Sequence, residues 1–366
     1  MKLISLPGIF LLILALLSGS CLNKGNIKDS KAESPCYVYI SVSKEKKIAV
    51  FKLNTLNGSL DLIENHVMTG EPGSLCANPS NKSLYAALRS TKSVASLNID
   101  PKTGKLSYMK DTPVADNPVY ISTDKTGKFL FITSYSGNKT AVYPVDNGIV
   151  NPNAVQVMEA RLNPHMIKTD PSGKYILVPN LGGELVQQFI LQGDGSLKPN
   201  TPDAMPVKSI SGPRHFIFHP SKDIMYLLNE KACTVNPFNF DPSRGILSGP
   251  FQEISTLPVD FTLANSCADI HITPDGKYLY ASNRGHNSLA AFKVDPGNGT
   301  LSLIGHFPTE KTPREFEIDP SGRFIIAAGE GSGNIALYRI QENGSLLLLN
   351  TYAVGSWPVW VTVVKP

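Results

Sequence analysis

Apolar runs of five to seven residues, rich in β-branched and aromatic side chains, alternate with polar turns along most of this chain. One such pattern returns six times. The copies read NPSNKSLYAAL (78–88), DKTGKFLFITS (124–134), DPSGKYILVPN (170–180), HPSKDIMYLLN (219–229), TPDGKYLYASN (273–283) and DPSGRFIIAAG (319–329). Each is a turn followed by a strand. Aligned on Pro79, Lys125, Pro171, Pro220, Pro274 and Pro320, the copies recur every 46 to 54 residues. A period of that size marks a repeat architecture.

The surroundings of each copy complete the repeat. A short strand precedes it, opened seven residues before the turn residue by Pro72, Pro118, Pro164, Pro213, Cys267 or Pro313. A third strand follows (KSVASLNID, NSLAAFKVD, GNIALYRIQ), then a G-x-L tag that begins a fourth (TGKLSY, DGSLKP, NGTLSL, NGSLLL). Four short strands per repeat of this length predict a propeller blade. The chain enters in mid-repeat with CYVYISV, KIAVFKL and NGSLDLI, and leaves on a first strand, WPVWVTVVKP. The predicted fold is therefore an all-β, seven-bladed β-propeller over 36–366. Its last blade is closed by pairing the N-terminal strands with the C-terminal strand, which leaves no open edge in the ring.

The first twenty residues lie outside this pattern. Lys2 followed by the apolar run Ile9–Leu17 reads as a signal peptide. Ser18-Gly19-Ser20 before Cys21 resembles a bacterial lipoprotein box, so Cys21 is the expected lipidation site. Residues 21–35 read as a flexible tether, and the expected location is a membrane-anchored, exported one. A net charge of +4, with no basic run, disfavours nucleic acid as a partner. Cys36, Cys76, Cys233 and Cys267 lack zinc-type spacing. They are expected as packed thiols, with disulfides as the alternative. No metal or cofactor is expected, and a monomer is.

Candidate chemistry follows from the register. In a propeller the first strands line the central channel. One residue after the opener stand Gly73, Val119, His165, Arg214, Ala268, Arg314 and Val359; the next register holds Ser74, Tyr120, Met166, His215, Asp269, Glu315 and Trp360. At the ends of the antiparallel second strands stand Arg89, Tyr135, Leu181, Glu230, Arg284 and Glu330. All three registers are expected to meet at one end of the channel. His165, Arg214, Glu230 and Arg284 stand out there, because they span consecutive blades and mix acid, base and cation. His219 and His271 lie further along the first strands and read as structural; His286 and His306 read as loop residues. The segment 231–266 is either a lid over the mouth or a longer outer edge.

The motifs GPRHFIFHP…YLLNE, ADIHITPDGKYLYASNRGHNSL, PREFEIDPSGRFIIAAGEGSGNIALYRI and YAVGSWPVWVTVV resemble the lactonase propeller family. That family includes bacterial 6-phosphogluconolactonase and a related fungal carboxymuconate-lactonising enzyme. The resemblance covers about 36–366 and implies catalytic roles for His165, Arg214, Glu230 and Arg284. It implies a small lactone as substrate and metal-free acid–base chemistry. In that reading His165 is the base, with Glu230 orienting it or acting as base itself. Arg214 and Arg284 face the reacting carbonyl. Arg314, His215, Asp269 and Arg89 bind the rest of the substrate, and a phosphorylated lactone is expected to be preferred. Two other readings stay open: a non-catalytic exported propeller that binds a carbohydrate or protein, and a lactonising enzyme acting on an unsaturated dicarboxylate.

Overall fold

The computed structural model describes residues 35–366, and these form one compact unit. The signal segment, Cys21 and most of the tether lie outside the described residues. Seven antiparallel sheets stand in a ring, and the only helical element among the described residues is the 3-10 turn Ser43–Glu45. Five sheets have four strands. In the other two the fourth strand is broken into two pieces, both paired with the third: Ile149–Val150 and Gln156–Glu159 on Lys139–Asp146, and Ile246–Ser248 and Ile254–Ser255 on Thr234–Asp241. The closing blade is composite. Pro358–Val364 pairs antiparallel with Cys36–Val42, from Tyr37 opposite Val364 to Ser41 opposite Trp360.

The repeated phrase has a local cause. Its first residue caps the turn that launches the second strand. Asp170, buried, accepts from the backbone N–H groups of Ser172 (2.8 Å), Lys174 (3.0 Å) and Tyr175 (2.8 Å). Asp319 does the same for Ser321, Arg323 and Phe324, and Asp124 for Thr126 and Phe129. Asn78, Thr273 and His219 take this place in the other copies. The G-x-L tag joins neighbouring blades. At Gly245, with φ +69°, an added Cβ would meet the ring of Tyr175 on the preceding blade at 2.0 Å. That tyrosine donates its hydroxyl to Ser243 O at 2.8 Å. The apolar core accordingly lies in layers between adjacent sheets, as where Ile326 and Leu337 meet Val38, Ala49 and Phe51.

Asp170→Ala would leave several backbone donors, one of them buried, without a partner. A loss of about 1–3 kcal/mol is expected, measured by chemical denaturation. Asp170→Ser should lose less, because the serine hydroxyl still accepts.

The segment 231–266 supplies the outer strands of its blade and the link to the next one. None of its residues lines the mouth cavity described below, so it is an outer edge rather than a lid.

Candidate active site

The inner strands are not regular. Pro213 pairs with Asn229 and His215 with Leu228, which leaves Arg214 as an extra, bulged residue. Arg314 is extra in the same way between Pro313 and Glu315, as is Val359 where Val42 and Ser41 pair with Pro358 and Trp360. In the third blade Pro164 bridges Asn180, and regular pairing resumes only at Lys168 opposite Leu177, so the register slips by one across His165. A bulge re-aims a side chain and increases local twist. Here the displaced residues include His165, Arg214 and Arg314.

These residues and the ends of the second strands surround two adjoining chambers at one mouth. The larger, about 360 Å³, is walled by Arg89, His165, Arg214, Arg314 and Glu330. The smaller, about 230 Å³, adds Tyr135, Glu230 and Arg284. The two share Arg89, Val119, His165 and Arg314.

Glu230 is held between two guanidinium groups. Its Oε2 lies 2.9 Å from Arg214 Nε and its Oε1 3.0 Å from Arg284 Nη2. Arg214 is 2 % exposed. Burial and the neighbouring Arg284 lower its pKa to about 10, against the pull of Glu230, so it stays charged near neutrality. Arg284 also donates to Cys267 O and Ser266 O. Arg314 Nη1 reaches Glu330 Oε2 at 3.3 Å. Arg89 is within ion-pair distance of no carboxylate among the described residues, and burial and Arg314 lower its pKa.

His165 is buried, and its Nδ1 has no hydrogen-bond partner. Its ring meets Tyr135 edge to face at 5.7 Å and His215 at 5.1 Å. Burial, then the charge of Arg214, holds its pKa well below the usual histidine value, so it is neutral at pH 7. Glu230 forms no hydrogen bond or ion pair with it. The expectation that Glu230 orients His165 is therefore corrected: both carboxylate oxygens are committed to arginines.

His215 and Asp269 are also displaced from their expected place. They lie one layer deeper, between the mouth and a third chamber of about 190 Å³ lined by Tyr120, His271, Glu317 and Trp360. His215 Nδ1 donates to Asp269 Oδ1 at 2.7 Å, and Asp269 Oδ2 accepts from His271 Nε2 at 2.8 Å. Burial alone would raise Asp269, but His271 and His215 outweigh it and hold the carboxyl well below its usual range. Burial opposes a charge on His271, yet Glu317 and Asp269 raise its pKa well above normal. Glu315 is pushed strongly upward by burial and by the Asp269 charge.

His215, Asp269 and Glu315 bring ligand atoms within 4.8 Å of one another. They fit a cation poorly: Asp269 is already held by two histidines, and the Arg214 guanidinium stands 3.3 Å from His215 Nε2. The four described cysteines are free thiols. Trp357 and Glu71, which line the mouth, lie in none of the three registers read from the sequence. Glu71 and Trp357 immediately precede an opener proline, a register that could have been read. His219 caps a turn, and His286 bonds Ser288 within its loop.

The family model described as "Lactonase, 7-bladed beta-propeller" matches residues 34–363. A 6-phosphogluconolactonase of Cronobacter sakazakii is 35% identical over 176 residues, covering 48% of this chain and 53% of that protein. One from Yersinia pestis is 35% identical over 179 residues, covering 49% and 53%. The chain thus spans about half the length of the curated relatives it matches. Among solved structures, a periplasmic gluconolactonase of Pseudomonas aeruginosa superposes with TM-score 0.83 at 26% identity, covering 91% of this chain and 100% of that one. A candidate 6-phosphogluconolactonase of Bacteroides fragilis gives 0.84 at 28%, covering 92% and 99%. With a match across nearly all the described residues, this chain belongs to the seven-bladed β-propeller lactonase family.

Proposed function

We propose that this protein hydrolyses a sugar-acid lactone at the channel mouth. The observation that carries the reading is the convergence of a neutral, buried His165 with two guanidinium groups pinned by one carboxylate. Water attacks the lactone carbonyl and gives its proton to His165. Arg214 and Arg284 stabilise the oxyanion. As the tetrahedral adduct collapses, the ring C–O bond breaks and His165 returns the proton to the leaving oxygen. The products are a free hydroxyl and a carboxylic acid, which releases its proton to solvent and becomes the carboxylate. Glu230, with both oxygens engaged, is a clamp for the two arginines rather than the base. The larger chamber falls in the size range of small-molecule sites.

The relatives named above supply the lactone class. The test is hydrolysis of freshly generated 6-phospho-glucono-1,5-lactone, beside glucono-1,5-lactone, against the spontaneous rate. Turnover on neither, with the fold intact, would move the reading to a binding propeller.

Three of the four mouth arginines already face a carboxylate. Recognition of an anionic tail therefore falls chiefly to Arg89, beside Arg314. Arg89→Ala is expected to raise KM for the phosphorylated lactone roughly 10- to 100-fold, the loss of a charge-assisted hydrogen bond. KM for the unphosphorylated lactone should change little.

We read residues 1–20 as a signal peptide, Cys21 as a lipidated residue and 21–35 as a tether that holds the 36–366 propeller at a membrane, outside the cytoplasm. The periplasmic location of the Pseudomonas aeruginosa neighbour agrees with export. Cys21→Ser should abolish incorporation of a labelled fatty acid. We read the protein as a monomer.

A further inference from the structure

We propose that His215 and Asp269 are positioning residues: Asp269 fixes the ring of His215 so that its Nε2 accepts from Arg214, which aims that guanidinium at the reacting carbonyl. The inference rests on the lactonase reading of the mouth cavity.

The geometry is a continuous line of polar contacts along the channel axis. Glu317 Oε1 lies 3.2 Å from His271 Nδ1, and His271 Nε2 lies 2.8 Å from Asp269 Oδ2. Asp269 Oδ1 lies 2.7 Å from His215 Nδ1, and His215 Nε2 lies 3.3 Å from Arg214 Nη1. Arg214 Nε then meets Glu230. None of Arg214, His215 and Asp269 is more than 3 % exposed, so no water need compete for these contacts.

Donors and acceptors allow one arrangement along this line. An ionised carboxylate only accepts, so His215 Nδ1 carries the hydrogen. A guanidinium only donates, so His215 Nε2 must be the bare nitrogen. A second proton on His215 would set N–H against N–H and place a cation beside Arg214. Burial and Arg214 oppose that proton, and the His215 pKa falls to about 4 despite the Asp269 contact.

Arg214 is thus held from three sides. Nη1 donates to Ala268 O and faces His215, while Nε faces Glu230. The side chain still lines the larger chamber, and Nη2, committed to none of these partners, is the group left for substrate. Tyr120 and Trp360 lock the His215 ring from the other side, with centroids at 5.4 and 6.3 Å. Neither His215 nor Asp269 lines the mouth chambers, so both act through Arg214.

The experiment compares His215→Phe, which keeps ring volume but removes the acceptor, with His215→Gln, whose amide oxygen can accept. Lactone hydrolysis by the full chain is read as separate kcat and KM values. His215→Phe should lower kcat roughly 10- to 100-fold with KM nearly unchanged. His215→Gln should recover to within about fivefold of the parent. Equal kcat in two folded variants would overturn the proposal. A second readout needs no activity. Long-range nitrogen–proton NMR on histidine-labelled protein, with His215 assigned from the Gln variant, should show the tautomer protonated at Nδ1 alone at pH 7. A ring protonated at Nε2, or at both nitrogens, would also overturn it. Should the parent hydrolyse no lactone, the reaction reading fails by itself, and the tautomer still decides the positioning geometry.

Discussion

His165→Ala should lower kcat for lactone hydrolysis roughly 10²- to 10⁴-fold, the usual contribution of a positioned base, with little change in melting temperature. The small structural cost follows from the surroundings. His165 Nδ1 is buried without a partner, so truncation removes an unsatisfied polar atom along with the ring contacts to Tyr135 and His215. The opened space adjoins a cavity that already exists. The pH profile of the parent enzyme should carry the same signature. In the proposed mechanism the active form of His165 is unprotonated, and burial with Arg214 depresses its pKa well below 6.5. Activity should therefore hold as pH falls through 6.5, and drop only at more acid values. An acid limb at or above 6.5 would assign it to another group. A collapse of melting temperature in His165→Ala, with no activity in the parent to lose, would make His165 a packing residue.

The second large effect is one of stability. Glu230→Ala strips the buried Arg214 of the carboxylate at 2.9 Å. Removing one partner of a buried ion pair costs about 3–5 kcal/mol, because the other charge stays behind unpaired. Arg214→Met removes the buried charge itself and should cost less, although Ala268 O and His215 Nε2 lose their donor. Both variants should be inactive. The order of stability in urea, parent above Arg214→Met above Glu230→Ala, separates the cost of a stranded charge from that of lost packing. The reverse order would mean that the Arg214 stem and its hydrogen bonds matter more than its charge. Arg284 is less affected by the loss of Glu230, since it keeps the backbone carbonyls of Ser266 and Cys267.

Much of this was legible in the sequence because the fold is built from local rules applied repeatedly. The capping residue and the apolar strand recur in six blades, with a turn glycine in four of them, and each is decided within about ten residues. Asp170 and its N–H donors lie within five residues of one another. The blade count followed from the period. The composite seventh blade followed from the strand content of the two ends, since an open ring would expose unpaired edges. The convergence of His165, Arg214, Glu230 and Arg284 was legible too, because equal registers in equal repeats must lie at equal depth.

What the period could not carry was the geometry inside each inner strand. A one-residue register shift recurs at the start of the inner strands, those carrying His165, Arg214, Asp269 and Arg314 among them, without changing the repeat spacing. Counting positions placed His215 and Asp269 at the mouth, whereas both line the deeper chamber and neither lines the mouth chambers. The partners of the charges were equally hidden. Four arginines counted along the chain suggested a preference for a phosphorylated lactone. Three of them meet carboxylates, Arg214 and Arg314 within their own blades and Arg284 across a blade boundary, and one glutamate that looked like an aid to histidine serves two guanidinium groups instead. Blade number and strand order follow from short-range preferences that the sequence by itself determines. Depth, pairing and protonation depend on groups brought together from distant repeats through a low-dielectric interior, and only the closed ring decides those.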